Sequence, residues 1–205
     1  MAHRGVLFLD ELCEFPRAHL EALRQPLEER SVTVVRARAA VSYPSDFMLV
    51  AAANPCPCGH LGDERGCSCA VRQLAAYQGR LSGPIKDRID LVVSVPRQPY
   101  GDIFSDQMEE GSSVVRARVD AARSRQSERG LVNAALQGRQ VVAACRLEPA
   151  ARRLLSQSGE RLRLSARAYF RVLRVARTVA DLAGDEAVGA EALAEALHYR
   201  IETSS

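Results

Sequence analysis

An α/β sheet domain followed by a smaller all-helical domain is the fold class that this 205-residue sequence predicts. Three observations carry it. Two continuous apolar runs, Gly5–Leu9 and Phe47–Ala53, end abruptly in polar residues, as buried strands do when they deliver side chains to a sheet edge. Between them lie two short β-prone runs, and from about Gly111 onward the β signal gives way to helical periodicity.

Taken in order, Gly5–Leu9 predicts a buried strand that ends at Asp10-Glu11. Pro16 then suits a first helical turn, and Leu20, Leu23 and Leu27 recur at helical spacing, with Pro26 shortening or bending the last turn. Val32–Val35 and Ala40–Tyr43 flank Arg36-Ala37-Arg38-Ala39, which reads as a hairpin with a basic tip. Phe47–Ala53 predicts a second buried strand, so Asn54 at its end falls near Asp10 and Glu11. Ala70–Leu81 has helical composition, Ser82-Gly83-Pro84 breaks it, and Leu91–Val95 predicts a third strand stopped by Pro96. Helices are expected over Ser112–Arg129, Gln140–Arg146, Pro149–Ser158, Ser165–Ala183 and Gly189–Ile201. The division follows: a sheet domain over 1–98, a linker over 99–111 and a helical domain over 112–205.

Composition narrows the function. No run approaches the roughly 20 apolar residues of a membrane helix, and the opening apolar stretch is short and broken by acids, so a cytoplasmic protein without a membrane partner is expected. A net charge of +3 does not by itself call for a polyanion, although arginines gather in 35–38, 116–129 and 161–177, as a local basic face or simply as solvated helix surfaces. Six cysteines without an export signal argue against a disulfide framework and toward metal or buried thiols.

The acids at the end of the first strand suit a nucleoside triphosphatase, in which an aspartate helps hold magnesium and a glutamate polarises the attacking water. The same pair would serve as an ordinary helix cap. Asn54 adds a neutral amide that donates to that water or to the γ-phosphate, its other reading being a turn starter before Pro55. Arg88, in Gly83–Leu91, suits an arginine presented to a neighbour's nucleotide, or else an intrachain salt bridge.

In their order, these segments resemble a known family. Gly5–Leu12 is similar to a Walker B motif, Ala51–Pro55 to sensor 1, Gly83–Leu91 to the arginine-finger segment and Leu164–Tyr169 to sensor 2 of the magnesium-chelatase-like AAA+ ATPases, in particular their bacterial competence-related branch. The resemblance covers essentially the whole chain. It implies the C-terminal part of an AAA+ P-loop ATPase sheet domain followed by a small all-α lid domain, with ATP and Mg2+ as cofactors. It assigns Asp10 to magnesium, Glu11 as catalytic base, Asn54 as sensor 1, Arg88 as a finger acting in trans and Arg167 as sensor 2. It also implies a homo-oligomeric ring, a hexamer, that acts on DNA, with the hairpin facing the pore so that Arg36 and Arg38 touch phosphates without reading sequence. No G-x-x-x-x-G-K-[ST] occurs, so the chain is expected to supply one part of a nucleotide site and to be inactive alone.

Cys56, Cys58, Cys67 and Cys69 form two C-x-C pairs in a loop with Gly59, Gly62 and Gly66. Four thiolates suit a structural Zn2+, the other readings being free thiols or a redox pair. Cys13 and Cys145 read as inert buried thiols. Three function classes stay open: an ATP-driven DNA motor, a chelatase subunit driving magnesium into a porphyrin, and a zinc-stabilised nucleic-acid-binding module without ATPase activity.

Overall fold

A computed structural model describes residues 2–36, 39–62, 64–96 and 110–201. The chain is a mixed α/β molecule with two small sheets and several helices, and it divides into two compact units between Ile89 and Asp90. The expected linker over 99–111 lies outside the described residues as far as 109.

In the first unit, β1 (Val6–Leu9) pairs parallel with β4 (Met48–Ala51), Val6 facing Met48 and Leu9 facing Ala51. Between them run α1 (Arg17–Ala22), α2 (Arg24–Glu29) and the hairpin β2 (Ser31–Arg36) with β3 (Ala39–Pro44). The predicted single helix after Pro16 is two, divided at Leu23. Pro26 has no N–H to donate to the Ala22 carbonyl, so the turn before it is released. The hairpin stands in register from Ser31 opposite Pro44 to Arg36 opposite Ala39, as its β-branched runs predict.

The two apolar strands differ from expectation. Their apolar runs predict buried strands, yet Val6, Phe8, Met48 and Val50 are exposed while Leu7, Leu9 and Leu49 are half-buried. A continuous apolar run marks a strand covered on two sides, and among the described residues only one side has a layer, built by Leu12, Leu20 and Ile85 with Leu9, Phe15 and Leu81 against them. Helices α3 (Val71–Gln78) and α4 (Gly83–Lys86) close this unit, Pro84 falling in the first turn of α4 as its fixed φ favours.

The predicted strand over Leu91–Val95 is not a strand, since no strand among the described residues pairs with it. It belongs to the second unit, where the Val92 N–H donates to the Tyr199 carbonyl at 3.2 Å and Asp90 lies 3.4 Å from the buried Arg171. That unit is otherwise α5 (Ser112–Glu128), α6 (Arg139–Cys145), α7 (Pro149–Arg161), α8 (Ala166–Ala183) and α9 (Ala190–Ile201). Helix α8 is the central member. Its Val172, Leu173, Ala176 and Ala180 pack against Val141, Cys145, Leu155, Leu193 and Leu197 from three neighbours. Its ends follow local chemistry: the Ser165 hydroxyl accepts from the Ala168 N–H at 3.2 Å, and Gly184 takes φ 93, the left-handed cap that a Cβ would oppose.

Candidate active site and metal centre

Both acids named from the sequence stand at the carboxyl end of β1 and are exposed. The chain leaving β1 is tied to the chain leaving β4 on either side of them. The Ala52 N–H donates to the Leu9 carbonyl at 2.9 Å, and the Leu12 N–H donates back to the Ala52 carbonyl at 2.8 Å. The parallel register therefore brings Asp10 and Glu11 beside Ala52, two residues before the exposed Asn54. Glu11 occupies the left-handed region, φ 49 and ψ 44, uncommon for a residue with a side chain and typical of positions that the surrounding fold over-determines. Its N–H donates to the Asp10 carboxylate at 2.8 Å, so the aspartate orients the backbone of its neighbour.

A single helical turn, Leu12–Glu14, follows, and it is held from a direction the sequence reading missed. Arg80, just beyond α3, donates to the Cys13 carbonyl at 2.6 Å and to the Glu14 carboxylate at 2.8 Å, with its guanidinium 5.9 Å from the Tyr77 ring centre. Burial pushes the Cys13 thiol pKa up, with the Tyr77 hydroxyl acting against it. No local pattern marks Arg80, because its partners lie 66 and 67 residues away.

Arg88 takes the intrachain course that its sequence left open. Its guanidinium pairs with Glu28 and donates to the Pro84 carbonyl at 2.6 Å, with the side chain 11% exposed. Arg167 sits exposed in the first turn of α8, in the second unit. Arg36 is exposed at the end of β2, while Arg38 lies outside the described residues.

The four cysteines converge, their sulfurs all lying within 4.8 Å of one another. Cys56 Sγ is 3.3 Å from Cys58 Sγ, and Cys67 Sγ is 3.6 Å from each of them. These separations exceed the roughly 2.05 Å of a disulfide. They approach the edge of about 3.8 Å that a tetrahedron with metal–sulfur bonds of about 2.3 Å requires. Cys56 is fully buried and the other three are half-buried. Gly59, Gly62 and Gly66 turn the loop at φ 79, 85 and 73. Backbone N–H groups of His60 and Ser68, then the Cys56 thiol, hold the Cys58 pKa down to about 5. For Cys67 the Cys69 N–H acts downward, but desolvation and the surrounding thiols push it up to about 12. The loop thus favours a thiolate at Cys58 and resists one at Cys67 and Cys69, a resistance that a bound divalent cation would oppose. The donor set fits a thiophilic metal; His60 contributes its backbone amide to the cluster.

A further polar site sits in the helical unit. Asp181 is buried in α8 and receives Arg129 at 2.8 and 2.5 Å, Asn133 at 2.8 Å and Arg177 at 3.1 Å. Arg177 also donates to the Glu186 carbonyl at 2.8 Å. The terminal guanidinium nitrogens of Arg129 and Arg177 are spent on the fold, which marks the group as a structural knot, although the Arg177 Nε is buried without a partner.

Comparison with known proteins gives a consistent picture. Residues 1–103 match the family model described as magnesium chelatase, subunit ChlI, and residues 109–200 match that of its C-terminal region. The chain is 43% identical over 202 residues to competence protein ComM of Haemophilus influenzae, covering 98% of this chain and 40% of that protein. It is 42% identical over 202 residues to YifB of Escherichia coli, with the same coverage. A Mycobacterium tuberculosis protein is 42% identical over 204 residues, covering 97% of this chain and 40% of the relative. The chain thus spans about two fifths of the length of these relatives.

Proposed function

This chain belongs to the magnesium chelatase family, and on that premise we propose that it supplies the catalytic-acid part of an ATP-hydrolysing AAA+ ring motor that acts on DNA. The observation that carries the reading is the left-handed Glu11, set at the end of β1 by the paired hydrogen bonds with Ala52 and followed across the sheet by Asn54. Magnesium–ATP, when bound, supplies the γ-phosphate and neutralises its charge. Asp10 holds the cation, Glu11 takes a proton from the attacking water, and Asn54 orients that water with its amide. The helical unit is the lid, and Arg167 on its α8 is the sensor 2 residue. Arg88 reaches a neighbouring copy's nucleotide in a hexameric ring, which requires it to exchange Glu28 for phosphate oxygens. Arg36 and Arg38 at the hairpin contact DNA phosphates, and the four thiolates hold a structural Zn2+. The working compartment is the cytoplasm.

Magnesium-dependent ATP hydrolysis tests this, measured on the chain alone and mixed with a separately expressed P-loop part of a relative. The expected result is no turnover alone and turnover on mixing that falls at least about 100-fold with Glu11→Gln. Turnover by the chain alone, or turnover in the mixture that ignores Glu11→Gln, overturns the reading. The description of the matching family model favours a second reading, a subunit that drives magnesium into a porphyrin. Stimulation of the mixture by DNA selects the motor, and stimulation by a porphyrin-bound partner selects the chelatase.

A further inference from the structure

The cysteine loop closes a circuit around the acids. On one side, Ala52 is bonded to both Leu9 and Leu12, and the chain passes through Asn54 to the buried Cys56. On the other side, Cys69 immediately precedes Ala70, whose N–H donates to the Gln73 side chain at 3.0 Å and opens α3. Just beyond the far end of α3, Arg80 returns to the Cys13 carbonyl and the Glu14 carboxylate directly behind Glu11. The loop thus joins Asn54 to the turn that anchors the acids, by a route independent of the β1–β4 pairing.

Between those two anchors the loop has little apolar material. Leu61 is exposed, and three glycines hold left-handed conformations with nothing within 4 Å of where a Cβ would stand. Such a segment transmits position only if something other than a core makes it stiff, and the four converging sulfurs are the feature able to do so.

We propose that a zinc ion held by Cys56, Cys58, Cys67 and Cys69 positions the catalytic segment, fixing Asn54 from one end of the loop and, through α3 and Arg80, the Leu12–Glu14 turn from the other. The metal site is in this sense a regulator of the acid pair: its occupancy governs how tightly the segment behind Glu11 is held. The inference rests on the ATPase reading only for the roles of Glu11 and Asn54; the metal site and its mechanical link stand on geometry.

The test uses the full chain and reads metal and backbone protection rather than turnover. Zinc is quantified in the purified protein, and Co2+ exchanged into it reports a tetrahedral tetrathiolate centre by its visible absorption. Amide hydrogen exchange is then compared before and after zinc removal by a chelator. One zinc per chain and a cobalt spectrum of sulfur ligation are expected. On metal removal, exchange at Leu12, Glu14 and Phe15 should accelerate at least about tenfold, with amides of α8 and α9 unchanged as an internal control of folding. In Arg80→Ala the link through α3 is cut, so metal removal should still loosen the cysteine loop but no longer change Glu14 and Phe15, whereas Leu12 stays coupled through its bond to Ala52. Four free thiols that bind neither zinc nor cobalt overturn the metal site. Zinc binding with unaltered exchange at Leu12–Phe15 on its removal overturns the positioning role while leaving the metal intact. Neither result depends on ATP hydrolysis, so failure of the ATPase reading remains separately visible.

Discussion

The two units are held together by different physics. In the helical unit, α8 is sheathed by apolar side chains from α6, α7 and α9, with one charged knot at Asp181 buried among them. In the sheet unit the buried apolar cluster is small, Leu12, Leu20 and Ile85, and much of the order around the acids comes from backbone ties, Arg80 and the thiol cluster. A large apolar core makes a rigid platform, whereas polar ties at an exposed strand end leave side chains accessible for chemistry. The candidate acids lie on the less apolar unit, where their environment can be altered without dismantling a core.

The contrast is broken most forcefully at Asp181. Replacing it with Ala leaves Arg129 and the fully buried Arg177 without their carboxylate, and the helical unit should lose about 3–5 kcal/mol in urea unfolding followed by helical circular dichroism. A loss below about 1 kcal/mol would show that the knot is dispensable. Leu173→Ala, at a fully buried position of α8, should cost about 2–5 kcal/mol in the same assay. Phe8→Ala, on a side chain 60% exposed, should change the unfolding of the sheet unit by less than about 0.5 kcal/mol. Equal costs at the two sites would erase the distinction between the units.

A pH scan sharpens it further. Burial raises the Cys145 thiol from its ordinary 9.0 to about 11, so the folded state disfavours the thiolate. Its contribution is complete below the unfolded pKa and is lost as pH rises from about 9 through about 11. The helical unit should weaken by about 2–3 kcal/mol across that window, and Cys145→Ala should remove this part of the pH dependence. A smaller loss than at Cys145 is expected at the start of α8, where Ser165→Ala removes the cap on the Ala168 N–H and should cost about 1 kcal/mol in thermal unfolding. Ser165→Asp should restore it.

Much of this was legible in advance. The hairpin, the helical limits near Ser112, Pro149 and Ser165, and the placement of Asp10, Glu11 and Asn54 at strand ends follow from periodicity and from Pro and Ser at helix starts. The paired C-x-C spacing pointed to a gathering of four thiols, which the structure has, and the order of the motifs pointed to the family that the comparisons return. The misses have definite causes. The apolar runs of β1 and β4 suggested two covered faces, because hydrophobicity records what a strand can tolerate and not how many layers meet it. Leu91–Val95 has strand composition, but a strand exists only where a partner supplies its hydrogen bonds.

By itself the sequence determined the local choices: where helices start, where the chain turns, which strand ends carry acids and which loop gathers thiols. These depend on neighbours within a few residues, whose sterics and hydrogen-bonding capacity are set by residue type alone. Only the tertiary structure decided that Arg88 meets Glu28, that Arg80 grips Cys13 and Glu14, and that Arg129, Arg177 and Asp181 share one buried site. A charged side chain acts through the few ångströms around its terminal atoms, and those surroundings are furnished by segments as many as 67 residues away.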